Sequence, residues 1–189
     1  MEFYNIDLKK MDKLYLRQNV VPYESLEELV DWDVDEIQAG VYGGGKTRID
    51  KRVRSTILKS IDPKEFPDIS QALLNLVEVW NPELNANDYV LKEMQFLKYG
   101  VGDHFRKHID HINDSRGGGR EYSTSTIISM TEDLTGGDFV IWTPDELYSD
   151  TIKLNVGETI FFNAKTTPHQ INKVTAGERQ VLVCWIHKK

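Results

Sequence analysis

From Asp88 onward the hydrophobic pattern of the chain takes a period of two, and no other feature limits its fold so strongly. Eight short runs follow one another: YVLKEMQFLKY (89–99), HFRKHID (104–110), YSTSTIISM (122–130), DFVIW (138–142), TIKLN (151–155), ETIFFN (158–163), HQINKV (169–174) and RQVLVCWI (179–186). Turn signals separate them: Gly100–Asp103, the glycines of 117–119, Gly136–Gly137, Pro144–Asp145, Gly157, Pro168 and Ala176–Gly177. Short strands divided in this way predict a double-sheet jelly roll.

The first half reads differently. Segment 22–31 carries Pro22 and Ser25 as start signals and Leu26, Leu29 and Val30 at helical spacing. Segment 68–80 puts Ile69, Leu73, Leu76, Val77 and Trp80 on one helical face, with Asp68 or Ser70 as cap and Pro82 beyond the stop. Between them GVYGGGKTRIDKR (40–52) predicts a mobile loop or hairpin tip. The expected architecture is mostly β with supporting helices packed on one sheet. It forms a single domain over 1–189, with helical support and a lid loop in 1–87 and the jelly-roll core in 88–189. A chain of 189 residues, 40% of them hydrophobic, has material for one such core.

Charge narrows the function. The net charge is -7, whereas proteins that neutralise nucleic-acid phosphates are usually basic, so nucleic acid is not an expected partner. The single cysteine, Cys184, lies in an apolar run and reads as a small core residue. No apolar run approaches the ~20 residues that span a bilayer, and the start lacks the apolar stretch of a signal peptide. The expectation is a soluble cytoplasmic protein with no membrane partner and an open oligomeric state.

His108-Ile109-Asp110 is the first chemical signal. On a strand, residues two apart share a face, so the imidazole and the carboxylate can converge. A second histidine would complete a facial triad for a borderline metal such as iron(II), with three coordination positions open. His169, at the start of a late strand, is the best third ligand. The competing reading is an ordinary hydrogen-bonded histidine at a strand end. His104 is too far along an extended strand, His111 faces the other way, and His187 lies at a frayed end. Arg179 follows ten residues after His169, opening the next strand of the same sheet and sharing a face with Val181, Val183 and Trp185. A buried arginine there needs an anion, which a dicarboxylate cosubstrate would supply. A solvent-facing head, or pairing with Glu178 or Glu158, is the alternative.

Gly40 to Thr47 matches the letters of a phosphate-binding P-loop, G-x-x-x-x-G-K-T. The mechanism needs a buried strand before it and a helix after it, and neither DWDVDEIQAG nor RIDKRVRS supplies one. Asp31, Asp33 and Asp35 imitate a calcium loop, but Glu36 and Tyr42 stand where glycine and glutamate are required. A non-catalytic jelly-roll module is the remaining rival.

The motifs YGVGDHFRKHID, TGGDFVIW, VGETIFFNA and HQINKVTAGERQVLVCWI together resemble the catalytic domain of the prolyl 4-hydroxylase-like branch of the Fe(II)/2-oxoglutarate dioxygenases, over about residues 88–187. The resemblance implies a double-stranded β-helix. It implies His108, Asp110 and His169 as iron ligands and Arg179 on the distal carboxylate of 2-oxoglutarate. Tyr99 would make a second contact to that cosubstrate, and Trp185 would wall the site. The implied reaction consumes dioxygen, converts 2-oxoglutarate to succinate and hydroxylates a prolyl residue of a peptide or protein, with ascorbate as a candidate reductant. Other side chains and free amino acids are alternative substrates. Loops 40–52 and 114–121 would close over the peptide, with Tyr42, Arg54 and Arg120 as contacts. Two places depart from the family pattern: Ser129-Met130-Thr131 replaces Tyr-Leu-Asn, and Asp138-Phe139 replaces Glu-Thr. Ser125 or Thr126 would have to compensate.

Overall fold

The alternation after residue 88 becomes antiparallel sheet. The computed structural model describes residues 14–31, 35–43, 46–110 and 119–189, with the backbone alone at Tyr23, Val30, Asp31, Tyr42 and Gly43. In chain order the elements are β1 (Tyr15–Asn19), α1 (Tyr23–Asp31), β2 (Ile37–Gln38), β3 (Val41–Gly43), β4 (Lys46–Arg48), β5 (Arg54–Ser55), β6 (Ile57–Ile61) and α2 (Pro67–Trp80). They continue as β7 (Tyr89–Tyr99), β8 (His104–His108), β9 (Arg120–Met130), β10 (Thr135–Gly136), β11 (Phe139–Trp142) and β12 (Ser149–Ile152). The last four are β13 (Glu158–Asn163), β14 (His169–Ile171), β15 (Val174–Ala176) and β16 (Arg179–Lys188). A larger sheet has the order β1-β13-β9-β16-β7-β6-β2, and a smaller one the order β12-β11-β14-β8-β5. Two facing antiparallel sheets are the jelly roll expected.

Alternation assigns the faces. On β16, Leu182, Cys184 and Ile186 point to the helices, where they join Leu26 and Leu29 of α1 and Ile69, Leu73, Leu76 and Val77 of α2 in one core cluster. Val181 and Val183 point the other way, into the space between the sheets, with Leu97, Ile127, Ile141, Ile160 and Phe162. Burying each such aliphatic side chain is worth about 2 kcal/mol, so the helices stay clamped to the outer face. Cys184 is a core residue, as expected, and burial raises its thiol pKa. On β7 the pairing with β16 shifts between Trp185 and Ile186. This bulge turns Tyr89 and Leu91 to the helix side but Glu93 and Gln95 toward the inner face.

Several expectations need correction. The first half is not only helical: β1 extends the larger sheet against β13, and β6 pairs with β7. Their runs are too short and mixed in polarity to show a period. The cap of α2 is neither Asp68 nor Ser70; Phe66 occupies it without a side-chain bond, and Pro67 starts the helix where its missing N–H costs nothing. Strand TIKLN is displaced to Ser149–Ile152, and HQINKV is divided into β14 and β15. Of Gly40 to Thr47, Val41–Gly43 lie on β3 and Lys46–Thr47 on β4, so strand stands after the motif and not the helix that a phosphate loop requires. Gly44, Gly45, Asp33, His111 and residues 114–118 lie outside the described residues. Among the described residues no helix is long and apolar enough to cross a membrane.

Candidate metal centre

His108 ends β8, His169 begins β14, and the two are register partners in the smaller sheet. Their ring centroids lie 4.2 Å apart. Asp110 stands two residues past the end of β8, so strand alternation does not explain its convergence with His108. A bulge sets the side to which His108 turns. Ile171 pairs with Phe105 while His169 pairs with His108, so β8 carries an extra residue across that interval. Phe105, not His104, therefore neighbours His108, and their rings stack at 3.6 Å. His104 turns instead toward the carbonyls of Gly102 and Arg52. His187, next to last on its strand, is paired on both sides and lies 3.3 Å from Glu93, so it is not frayed.

The two histidines are oriented alike. His108 Nδ1 lies 2.8 Å from the Arg106 carbonyl, and His169 Nδ1 lies 3.1 Å from the Thr167 carbonyl. A carbonyl only accepts, so each Nδ1 carries a hydrogen and each Nε2 is the ring nitrogen left to face the site. Both Nε2 atoms face one oxygen: Asp110 Oδ1 is 3.3 Å from that of His108 and 3.7 Å from that of His169. Asp110 Oδ2 is held from behind, accepting from Ser123 Oγ–H at 2.6 Å and from Trp185 Nε1–H at 2.8 Å. Across the three residues the potential ligand atoms lie within 4.8 Å of one another. Two imidazole nitrogens and one carboxylate oxygen suit a borderline divalent metal with further positions open.

Electrostatics agree. Burial, assisted by His108, lowers the His169 pKa to about 4, so its ring is neutral at physiological pH. Burial alone would raise the Asp110 carboxyl, but His169, His108 and Arg120 outweigh it and hold it well below the usual carboxylate range. Neutral imidazole beside ionised carboxylate is the protonation state a cation requires.

Arg179 and Tyr99, the outlying members of the expected set, are register partners on β16 and β7. Arg179 is thus on the larger sheet, opposite His169, and not on the same sheet as expected; β15 intervenes and pairs with β10. Only 3% of Arg179 is exposed, and burial lowers its pKa to about 10, which leaves it charged at neutral pH. Its Nη1 donates to the Gly137 carbonyl, while Nε and Nη2 are buried without a partner among the described residues. The guanidinium carbon stands 5.7 Å from the Tyr99 ring centroid. Gly137, at φ +67°, makes room for this: a Cβ there would come within 3.1 Å of Arg179 Cδ. A buried guanidinium with donors to spare fits a carboxylate. The donor set at the triad and these unmatched nitrogens are together compatible with iron(II) and a dicarboxylate.

The departures from the family pattern also have places. Phe139 lines both a cavity of about 30 Å³ at the triad and one of about 60 Å³ at Arg179, and stacks on His169 at 5.4 Å. Ser129 is engaged with Gln180 at 2.8 Å. Thr126 bonds Thr159, whereas Ser125 lines the triad cavity. A cleft of about 800 Å³ reaches the triad from outside, and Arg54, Arg120 and Trp185 line it. Arg120 is tied to Glu93 through Nε at 3.0 Å and Nη2 at 2.5 Å and lies 3.8 Å over the Trp185 ring. The Tyr42 side chain is outside the described residues. Sequence reasoning missed Phe105 and Ser123. The legible sign of Ser123 was a hydroxyl-rich run, YSTST, in a strand that packs inside.

Residues 94–187 match the family model described as the 2OG-Fe(II) oxygenase superfamily. A PKHD-type hydroxylase of Caulobacter vibrioides is 33% identical over 97 residues, which are 48% of this chain and 41% of that protein. The chain spans about two-fifths of the length of such curated relatives. Among solved structures, a prolyl-4-hydroxylase of Pseudomonas putida superposes with a TM-score of 0.65 at 16% identity, covering 96% of this chain and 97% of that one. A prolyl hydroxylase of Trichoplax adhaerens, in complex with a hypoxia inducible factor oxygen degradation domain peptide fragment, gives 0.64 at 14%, covering 100% and 94%. At these identities the likeness shows the fold.

Proposed function

We propose, from the premise that residues 94–187 belong to the 2OG-Fe(II) oxygenase superfamily, that the chain is a 2-oxoglutarate-dependent dioxygenase that hydroxylates a prolyl residue of a peptide or protein. The family implies iron(II), 2-oxoglutarate and dioxygen as its reactants. The observation that carries the reading is one arrangement. Asp110 Oδ1 faces both histidine Nε2 atoms, and Arg179, buried and charged, offers unmatched donors on the opposite sheet.

In this reading His108, Asp110 and His169 hold the iron, and Arg179 with Tyr99 holds the distal carboxylate of 2-oxoglutarate. When bound, these groups supply an oxidation: one oxygen atom of dioxygen enters a C–H bond as hydroxyl, the other enters succinate, and carbon dioxide leaves. The chain's own task is positioning and exclusion of water. Ser123 and Trp185 fix the carboxylate so that one oxygen remains for the metal. Phe105, Phe139 and Phe162 surround the imidazoles with apolar surface. The large cleft receives the peptide, with Trp185, Arg54 and Arg120 on its wall and Tyr42 on the β3–β4 hairpin. Residues 1–189 act as one domain in this reading, and a cytoplasmic location belongs to it. Neighbours that are prolyl hydroxylases, one with a bound peptide, support the substrate class.

The test is turnover with iron(II), ascorbate and 2-oxoglutarate. Succinate should form, and proline-containing peptides should gain the mass of one oxygen atom. Succinate with no proline hydroxylation would move the substrate to another side chain or a free amino acid. No succinate, with metal binding unchanged in His108→Ala, would remove the enzyme reading and leave a binding module.

A further inference from the structure

Arg54 is a charged residue whose burial the iron site does not explain. It lies on β5, directly opposite Phe105 in register, on the strand that ends at His108. It is 8% exposed. No carboxylate pairs with it among the described residues. Its Nη1 donates to the Gly40 carbonyl at 3.4 Å and its Nη2 to Gln95 Oε1 at 3.5 Å, both at the outer limit of a hydrogen bond. Its Nε is buried with no partner. Leaving a buried cation this poorly matched is costly unless something else completes it.

Its position says where the missing group comes from. Arg54 lines both the large cleft and the small cavity at the triad. The guanidinium carbon is 4.7 Å from the Phe105 centroid and Phe105 is 3.6 Å from that of His108, so Arg54 stands within about 8 Å of the His108 ring. Of the other charges of the cleft wall, Arg120 is engaged with Glu93 and Asp110 with the triad. Arg48 adds a further positive group at the wall, so a cleft in a chain of net charge -7 carries surplus positive charge. A low-dielectric cleft focuses such a field.

We infer that the substrate presents a carboxylate to Arg54, close to the carbon that is oxidised. This rests on the oxygenase reading and specifies its substrate class. The carboxylate has two possible sources: an aspartate or glutamate next to the reacting residue in a polypeptide, or the α-carboxylate of a free amino acid. A planar guanidinium takes either by two parallel bonds.

The experiment measures binding under nitrogen with Mn(II) and 2-oxoglutarate, reading Mn(II)-enhanced NMR relaxation of probe protons. The probes are N-acetyl-prolyl-aspartyl amide against its asparaginyl counterpart, and L-proline against L-prolinamide. At least one carboxylate probe should bind about tenfold or more tightly than its amide, the size expected for a charge-assisted contact. The pair that shows the preference identifies the source. Arg54→Gln should erase the preference, and Arg54→Lys, which keeps the charge but not the fork, should diminish it. Equal binding of acid and amide by the natural protein overturns the inference, whether or not a variant folds. So does a preference unchanged in either variant, or failure of both carboxylate probes to bind. Weaker 2-oxoglutarate binding in Arg54→Gln with the probe preference intact would give Arg54 to the cosubstrate instead. If Mn(II) relaxes no 2-oxoglutarate protons, the oxygenase reading itself fails; if it does and acid and amide bind alike, only this inference fails.

Discussion

Replacing Trp185 with phenylalanine would remove one hydrogen bond from the triad and keep most of the aromatic surface. The bond lost is Trp185 Nε1–H to Asp110 Oδ2 at 2.8 Å; the one retained is Ser123 Oγ–H to the same oxygen at 2.6 Å. Both donors reach a carboxylate buried to 7% exposure, where a hydrogen bond to a charged group is worth about 1.5–3 kcal/mol. At about 1.4 kcal/mol per factor of ten, this agrees with the roughly 10–100-fold loss in metal affinity typical when a ligand's supporting partner is removed. Trp185→Phe should sit near tenfold, because Ser123 still restrains Oδ2. Ser123→Ala with Trp185→Phe should approach a hundredfold, since neither donor then holds Oδ2. Calorimetric titration of Mn(II) into each variant measures it, with circular dichroism to verify the fold. A double variant that binds metal within about twofold of the natural chain would refute the role given to these donors.

Three further outcomes follow from the same geometry. Arg179→Met should abolish 2-oxoglutarate binding while leaving the cosubstrate-free protein as stable or more so by about 1–4 kcal/mol, because a mismatched buried charge is gone; thermal melts with and without 2-oxoglutarate measure both. Gly137→Ala should lower stability by about 1–3 kcal/mol, or roughly 2–4 °C per kcal/mol in the melt, because a Cβ at positive φ meets Val174 and Arg179. His169, neutral in the fold down to about pH 4 but protonated near 6.5 when unfolded, makes the unfolded chain the better proton binder between those values. Stability of the metal-free protein should therefore fall as pH drops from about 6.5 to about 4, by at most about 3 kcal/mol from this group, and His169→Gln should remove that contribution from urea midpoints.

The jelly roll was legible because its strands are long enough to repeat their period. On β16, residues 181–186 alternate without a break between the inner face and the helix side. The first-half strands were illegible for the opposite reason. β5 has two residues, β6 five, and their pairing is set by β8 and β7 far along the chain. The triad was readable from residue types and the family resemblance, but strand alternation is not what brings Asp110 to His108. Asp110 lies past its strand, and a bulge fixes the side of His108; a bulge leaves no mark in a five-residue run. Arg179 was assigned its neighbours correctly and its sheet wrongly, because strand order in a jelly roll is long-range information. Arg120 was expected as a substrate contact; the pairing with Glu93, 27 positions earlier, is invisible until both strands are placed.

The central claim is that the triad and Arg179 make one site, for a divalent metal and a dicarboxylate together. Titrating 2-oxoglutarate calorimetrically, with and without Mn(II), tests it most directly. Binding should depend on the metal in the natural chain and be lost in both Asp110→Ala and Arg179→Met. Binding of equal strength without metal, or binding that survives either substitution, would contradict it.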